Sequence, residues 1–76
     1  MADQLAELRV GDARDVVGVD GEGAMVVRLL EMGFVPGTRV EVVKVAPLGD
    51  PLELRVRGYH VSLRRAEAAR VRVSPR

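Results

Sequence analysis

The sequence predicts an all-β fold, a small barrel with one α-helix inserted after the first strand and a short helical turn before the last strand. Three observations carry this. Residues 52–64, LELRVRGYHVSLR, alternate apolar and polar side chains on both sides of a glycine, the period of a half-buried hairpin. Met25, Leu29 and Met32 instead recur at helical spacing. And 76 residues bury only about 60% of the surface of the unfolded chain, so a sheet with one apolar face must close or be covered. The whole chain, 1–76, is read as a single domain.

Each element has its own local grounds. Residues 1–10, MADQLAELRV, offer Leu5, Leu8 and Val10 to the core, as a loose helical turn or as an extended lead-in. Gly11-Asp12 marks a turn into a strand over 13–19, ARDVVGV, where Gly18 implies a bulge or a close backbone approach. The helix is placed at about 22–32, with Val26 and Leu30 widening its apolar face and Asp20 as N-cap. Gly33 stops it, because glycine takes the left-handed C′ position cheaply, and Phe34 then folds back onto Leu29. Pro36-Gly37 has the order of a type II turn.

Residues 38–45, TRVEVVKV, form a strand whose inward face changes from Val40 and Val42 to Val43 and Val45, as a bend or bulge requires. APLGDP, 46–51, ends it. The hairpin that follows is predicted to turn at Gly58-Tyr59, pairing Val56 with Val61, Leu54 with Leu63 and Glu53 with Arg64. RAEAA, 65–69, suits one helical turn, 70–74 is a final strand with Val71 and Val73 inward, and the tail SPR is expected to fray.

Composition narrows the functions. The chain has no cysteine, which excludes disulfides, thiolate metal sites and cysteine nucleophiles. Twelve basic against eleven acidic residues leave a net charge of +1, poor support for a binder of bulk nucleic acid. Phe34 and Tyr59 are the only aromatics, so no paired stacking platform for bases exists, and a groove for proline-rich peptides lacks its aromatic lining. No run approaches the length of a membrane span and the start lacks the pattern of a signal peptide, so a cytoplasmic location is expected.

Catalytic chemistry is sparse. His60 and Ser62 share one strand face but lack a neighbouring third residue to orient the imidazole. DGEGAMVV at 20–27 has no lysine or serine where a phosphate loop needs them. No catalytic residue is assigned, and the chain is not expected to be an enzyme.

The stretches LLEMGF, VPG, APLGDP, RGYHVSLR and EAA, in this order and spacing, resemble the ferrous iron transport protein A family, FeoA. The resemblance spans nearly the whole chain. It implies an SH3-like barrel and a small cytosolic accessory protein of ferrous iron uptake, without enzymatic activity. The implied partner is the membrane permease FeoB, whose cytoplasmic part includes a GTPase domain, so the chain would be cytoplasmic or peripheral at the inner membrane through the permease. Similar domains end iron-dependent repressors of the diphtheria toxin repressor type, but no helix-turn-helix precedes this one.

The candidate partner-binding residues are those whose side chains the barrel does not need: Met32, Gly33, Phe34, Pro36 and Gly37 at the helix exit, and Pro47, Leu48, Gly49, Asp50 and Pro51 in the loop. Leu48 either plugs the core or faces a partner. Two alternatives stand beside this reading. One is a divalent-metal sensor or delivery protein, holding Fe²⁺ weakly or at an interface through His60 with Asp12, Asp15, Glu41, Asp50 or Glu53; its ligands are unknown and no resident cofactor is expected. The other is a small-barrel nucleic-acid module using Arg55, Arg57, Arg64, Arg70 and Arg72. Nucleic acid is not the expected partner, nor is direct membrane insertion, and oligomeric state is open.

Overall fold

A computed structural model of the chain, which describes residues 3–75, is built on one six-stranded antiparallel sheet. Its elements are β1 (Asp3–Gln4), a 3₁₀ turn (Leu5–Glu7), β2 (Ala13–Val19), α1 (Ala24–Glu31), β3 (Arg39–Val45), β4 (Leu52–Val56), β5 (Tyr59–Leu63), α2 (Arg65–Ala68) and β6 (Val71–Val73). Strand order is β1-β6-β2-β3-β4-β5. The predicted all-β architecture is present, with one correction. A two-residue strand precedes the one expected first, so α1 follows the second strand; two residues carry no readable alternation.

The core is aliphatic and continuous. Val40 opposes Val56 and Val42 opposes Leu54 across β3–β4, while Leu54 opposes Val61 and Leu52 opposes Leu63 across β4–β5. Leu29, Phe34, Leu5, Val71 and Val73 complete it, all fully buried. Each large side chain sealed in this way contributes about 1.5–3 kcal/mol relative to exposure. Met25 of α1 and Met32, the residue that caps its C-terminus, pack against it. The β3 register shifts between Val42 and Lys44, the bulge that the changing inward face required. A second shift lies between Val16 and Gly18 in β2, where a Cβ on Gly18 would come within 2.6 Å of the Arg72 guanidinium. The bulge is present, and the close neighbour is the flexible end of the Arg72 side chain rather than another stretch of backbone.

The helix exit forms as the sequence indicates. Phe34 donates its N–H to Leu29 O at 3.1 Å and Gly33 donates to Leu30 O at 3.0 Å, the paired bonds of a Schellman motif. Gly33 has φ +109°. The helix start differs. α1 begins at Ala24 with Gly23 as N-cap, and Asp20 caps nothing. Its N–H instead donates to Arg70 O at 2.7 Å and its carboxylate binds Arg72 Nε at 2.7 Å, holding it to β6.

The hairpin register also differs. The turn is Arg57-Gly58, both at positive φ (+52° and +82°), and it pairs Val56 with Tyr59, Arg55 with His60 and Glu53 with Ser62. This is the type I′ pattern, whose twist suits the flanking strands. A shift of two residues leaves every side chain on its predicted face, so apolar still meets apolar, but Arg64 does not oppose Glu53. Val10 is exposed rather than in the core. Ser74 is anchored, not frayed: it donates its N–H to Asp15 O at 2.8 Å and its hydroxyl accepts from Asp15 N at 3.1 Å. Arg76 lies outside the described residues. Among those described, no helix is long and apolar enough to cross a membrane.

Candidate functional site

The APLGDP loop is a tight turn with its leucine outermost. Gly49 donates its N–H to Ala46 O at 2.7 Å, closing a β-turn with Pro47 and Leu48 at its two central positions. Ala46 donates to Pro51 O at 3.1 Å, so the loop is pinned across its base. The Asp50–Pro51 peptide is cis. Leu48 is 97% exposed. Of the two readings open to it, the structure selects the outward one. Pro47 and Asp50 are exposed beside it, and Gly49 and Pro51 are half-buried.

The loop is also tied down from outside. Arg65, the first residue of α2, donates its backbone N–H to Asp50 Oδ1 at 3.0 Å. Its side chain donates from Nε to Gly49 O at 2.8 Å and from Nη1 to Ala6 O. One arginine thus joins the loop, α2 and the 3₁₀ turn. Sequence reasoning missed Arg65, because no local pattern links position 65 to positions 49 and 6.

The other candidate segment sits elsewhere. Gly33 packs beside Val56 and Arg57, at the far end of β4 from the loop. The span from Leu52 to Val56 alone is roughly 14 Å at the usual strand rise. The ten candidate residues therefore form two patches, not one. Phe34 drops out of them: its ring is fully buried, so the barrel does need it, and Gly33 is buried too. Met32 is half-buried against the core, leaving Pro36 and Gly37 as the exposed part of that patch.

Near the Val56 end of β4 lies an open depression of about 360 Å³, lined by Ala13, Arg39, Glu41, Arg55, Arg57 and Gly58. Arg39 reaches Asp15 at 3.3 Å and Arg55 reaches Glu41 at 3.4 Å, both at the surface. Arg72 on β6 is separated from Arg55 on β4 by β2 and β3 and is bound to Asp20, so the arginines of the nucleic-acid alternative do not form one stripe. The carboxylates of the metal alternative are likewise dispersed. Asp12 accepts from Arg9 N, Asp15 and Glu41 pair with arginines, Asp50 accepts from Arg65 N, and His60 is exposed opposite Arg55. Among the described residues, no three His, Asp or Glu side chains converge as metal ligands would.

Comparison with known proteins gives this geometry a family. The FeoA domain model matches residues 4–75. A fusion protein of Porphyromonas gingivalis, named as Fe(2+) transport protein A joined to the Fe(2+) transporter FeoB, is 49% identical over 70 residues. The match takes in 92% of this chain and only 8% of that protein's length. The FeoA-like protein of Clostridium acetobutylicum superposes with a TM-score of 0.89 at 36% identity, covering 96% of this chain and 85% of that one. FeoA of Stenotrophomonas maltophilia, crystallised with zinc and described as a prokaryotic SH3 domain protein, gives 0.83 at 36% identity over 97% and 89%. The six antiparallel strands are accordingly an SH3-like barrel, and the chain belongs to the FeoA family.

Proposed function

We propose that this chain is a small, non-enzymatic accessory protein of ferrous iron uptake that acts by direct contact with FeoB on its cytoplasmic GTPase region. One observation supports this above the rest: in the P. gingivalis relative, an FeoA segment and FeoB are one polypeptide. Fusion raises the effective concentration of two partners to roughly the millimolar range, which benefits pairs that touch. The geometry supplies a suitable contact in Leu48, an apolar side chain at a solvent-facing loop tip that its own barrel does not use. A patch on a domain of this size is small, so modest affinity is expected.

The test is a titration of the chain against the cytoplasmic region of FeoB, run across nucleotide states and with or without Fe²⁺. Saturable binding that Leu48→Asp weakens is the expected result. No binding by the wild type in any state would refute direct contact.

Zinc in the S. maltophilia relative favours a second reading, a metal sensor or delivery protein. That reading requires stoichiometric Fe²⁺ or Zn²⁺ binding in anaerobic calorimetry, abolished by His60→Ala. It fails if the substitution leaves the isotherm unchanged.

A further inference from the structure

We infer that Arg65 is a positioning residue for partner binding: it clamps the 46–51 loop so that Leu48 stands out as a pre-set apolar peg for a pocket on FeoB. This rests on the reading of the chain as a FeoB-binding protein, and it adds a residue far from the loop in sequence.

Two links hold the loop's second half, and a third ties the same arginine to the 3₁₀ turn. The Arg65 N–H fixes the Asp50 carboxylate, its Nε fixes Gly49 O, and its Nη1 carries the same guanidinium on to Ala6 O. Ala6 belongs to the 3₁₀ turn, whose Leu5 is fully buried in the core. The loop is therefore anchored through Arg65 to the rigid body of the barrel. A planar guanidinium can serve two carbonyls with divergent N–H groups, whereas a lysine ammonium has neither the plane nor the spacing.

The clamp stands beside a residue with no structural use of its own. Leu48 is 97% exposed, yet the turn that presents it is closed by Gly49 N to Ala46 O and by Ala46 N to Pro51 O. A mobile tip would have to be ordered on binding, and that ordering would subtract from affinity; a tip already ordered avoids the loss. Arg65 is itself half-buried behind the loop and acts on binding through Leu48.

The experiment measures Kd for the FeoB cytoplasmic region with wild type, Arg65→Met, Arg65→Lys, Leu48→Ala and the double variant Arg65→Met/Leu48→Ala, alongside backbone amide relaxation of residues 46–51 in each free protein. Arg65→Met is expected to weaken binding about tenfold, and Arg65→Lys nearly as much, because charge without the fork does not restore the clamp. In the Leu48→Ala background the same change should alter Kd less than about twofold. The free loop should become mobile on the nanosecond scale in Arg65→Met while the strands stay rigid.

Undiminished loop order in Arg65→Met overturns the clamp, as does an Arg65 effect that is equal with and without Leu48. Should Arg65→Met prove poorly folded, Asp50→Ala removes one link from the loop side and must show the same dependence on Leu48. Failure of the wild type to bind FeoB would instead refute the functional reading, and the relaxation comparison would still decide the clamp. A concentration-dependent dimer dissolved by Leu48→Asp would assign the peg to a second copy and overturn the permease assignment.

Discussion

Glu67 joins the two helices: its Oε2 lies 3.1 Å from Arg28 Nη1 on α1, while its Oε1 accepts the Arg64 N–H at the start of α2 at 2.9 Å. Only 7% of Glu67 is exposed, whereas 61% of the Arg28 side chain is in solvent. The two ends of the pair are therefore unequal. Removing the carboxylate deletes a cap and an ion pair together, and Glu67→Ala should cost about 2 kcal/mol. Arg28→Ala leaves the cap in place and should cost about 1 kcal/mol or less. Urea unfolding of both variants checks the order, and an Arg28 effect equal to that of Glu67 would contradict it.

Phe34 and Leu48 should separate stability from binding. Phe34 is fully buried beneath the helix exit, and Phe34→Ala opens a cavity worth about 3–5 kcal/mol. In a domain this small that is most of the available stability, so the variant should be largely unfolded at 25 °C by circular dichroism. Leu48→Ala touches nothing in the barrel and should stay within about 0.5 kcal/mol of wild type. A strongly destabilised Leu48→Ala would mean that the loop tip packs inward.

The contrast between these residues shows what was legible in the sequence and why. The glycine stop at 33 requires an apolar C″ residue to return to the helix, so Phe34 was readable as core, and its candidacy as a contact conflicted with that chemistry. The strands β2 to β6, the β3 bulge and the helix face follow from side-chain period, which is a local property, whereas the two-residue β1 is too short to show one. The hairpin register was not fully legible, because alternation repeats every two residues and cannot tell Gly58-Tyr59 from Arg57-Gly58 as the turn. Asp20 looked like a cap from its position alone, yet its partners, Arg70 and Arg72, arrive from the other end of the chain. Half of the candidate site, the APLGDP loop, was recognisable from its turn residues. Its attachment through Arg65 depends on closure of the barrel and had no sequence signal.

The same register makes Arg57 an unusual turn residue. It adopts φ +52°, a region in which a residue with a long side chain is disfavoured by roughly 1–2 kcal/mol. Asparagine tolerates that region and Asn-Gly is the preferred type I′ pair. Arg57→Asn should therefore stabilise the protein by about 0.5–1 kcal/mol, raising Tm by several degrees in a chain of this size. Calorimetry decides the matter, and a lower Tm would show that contacts of the Arg57 side chain beside Gly33 outweigh the backbone strain.

The two exposed patches should act independently. Leu48 and Pro36 lie toward opposite ends of β3 and β4, well beyond the range at which substitutions usually couple. If FeoB engages the loop, Leu48→Asp should weaken binding at least tenfold, since the peg is lost and a charge enters an apolar pocket. Pro36→Ala should leave Kd within about twofold, and the double variant should equal the sum of the two effects to within about 0.5 kcal/mol. A large Pro36 effect would move the contact to the helix exit. Strong non-additivity would mean that one partner surface spans both ends of the barrel, contrary to a contact centred on Leu48.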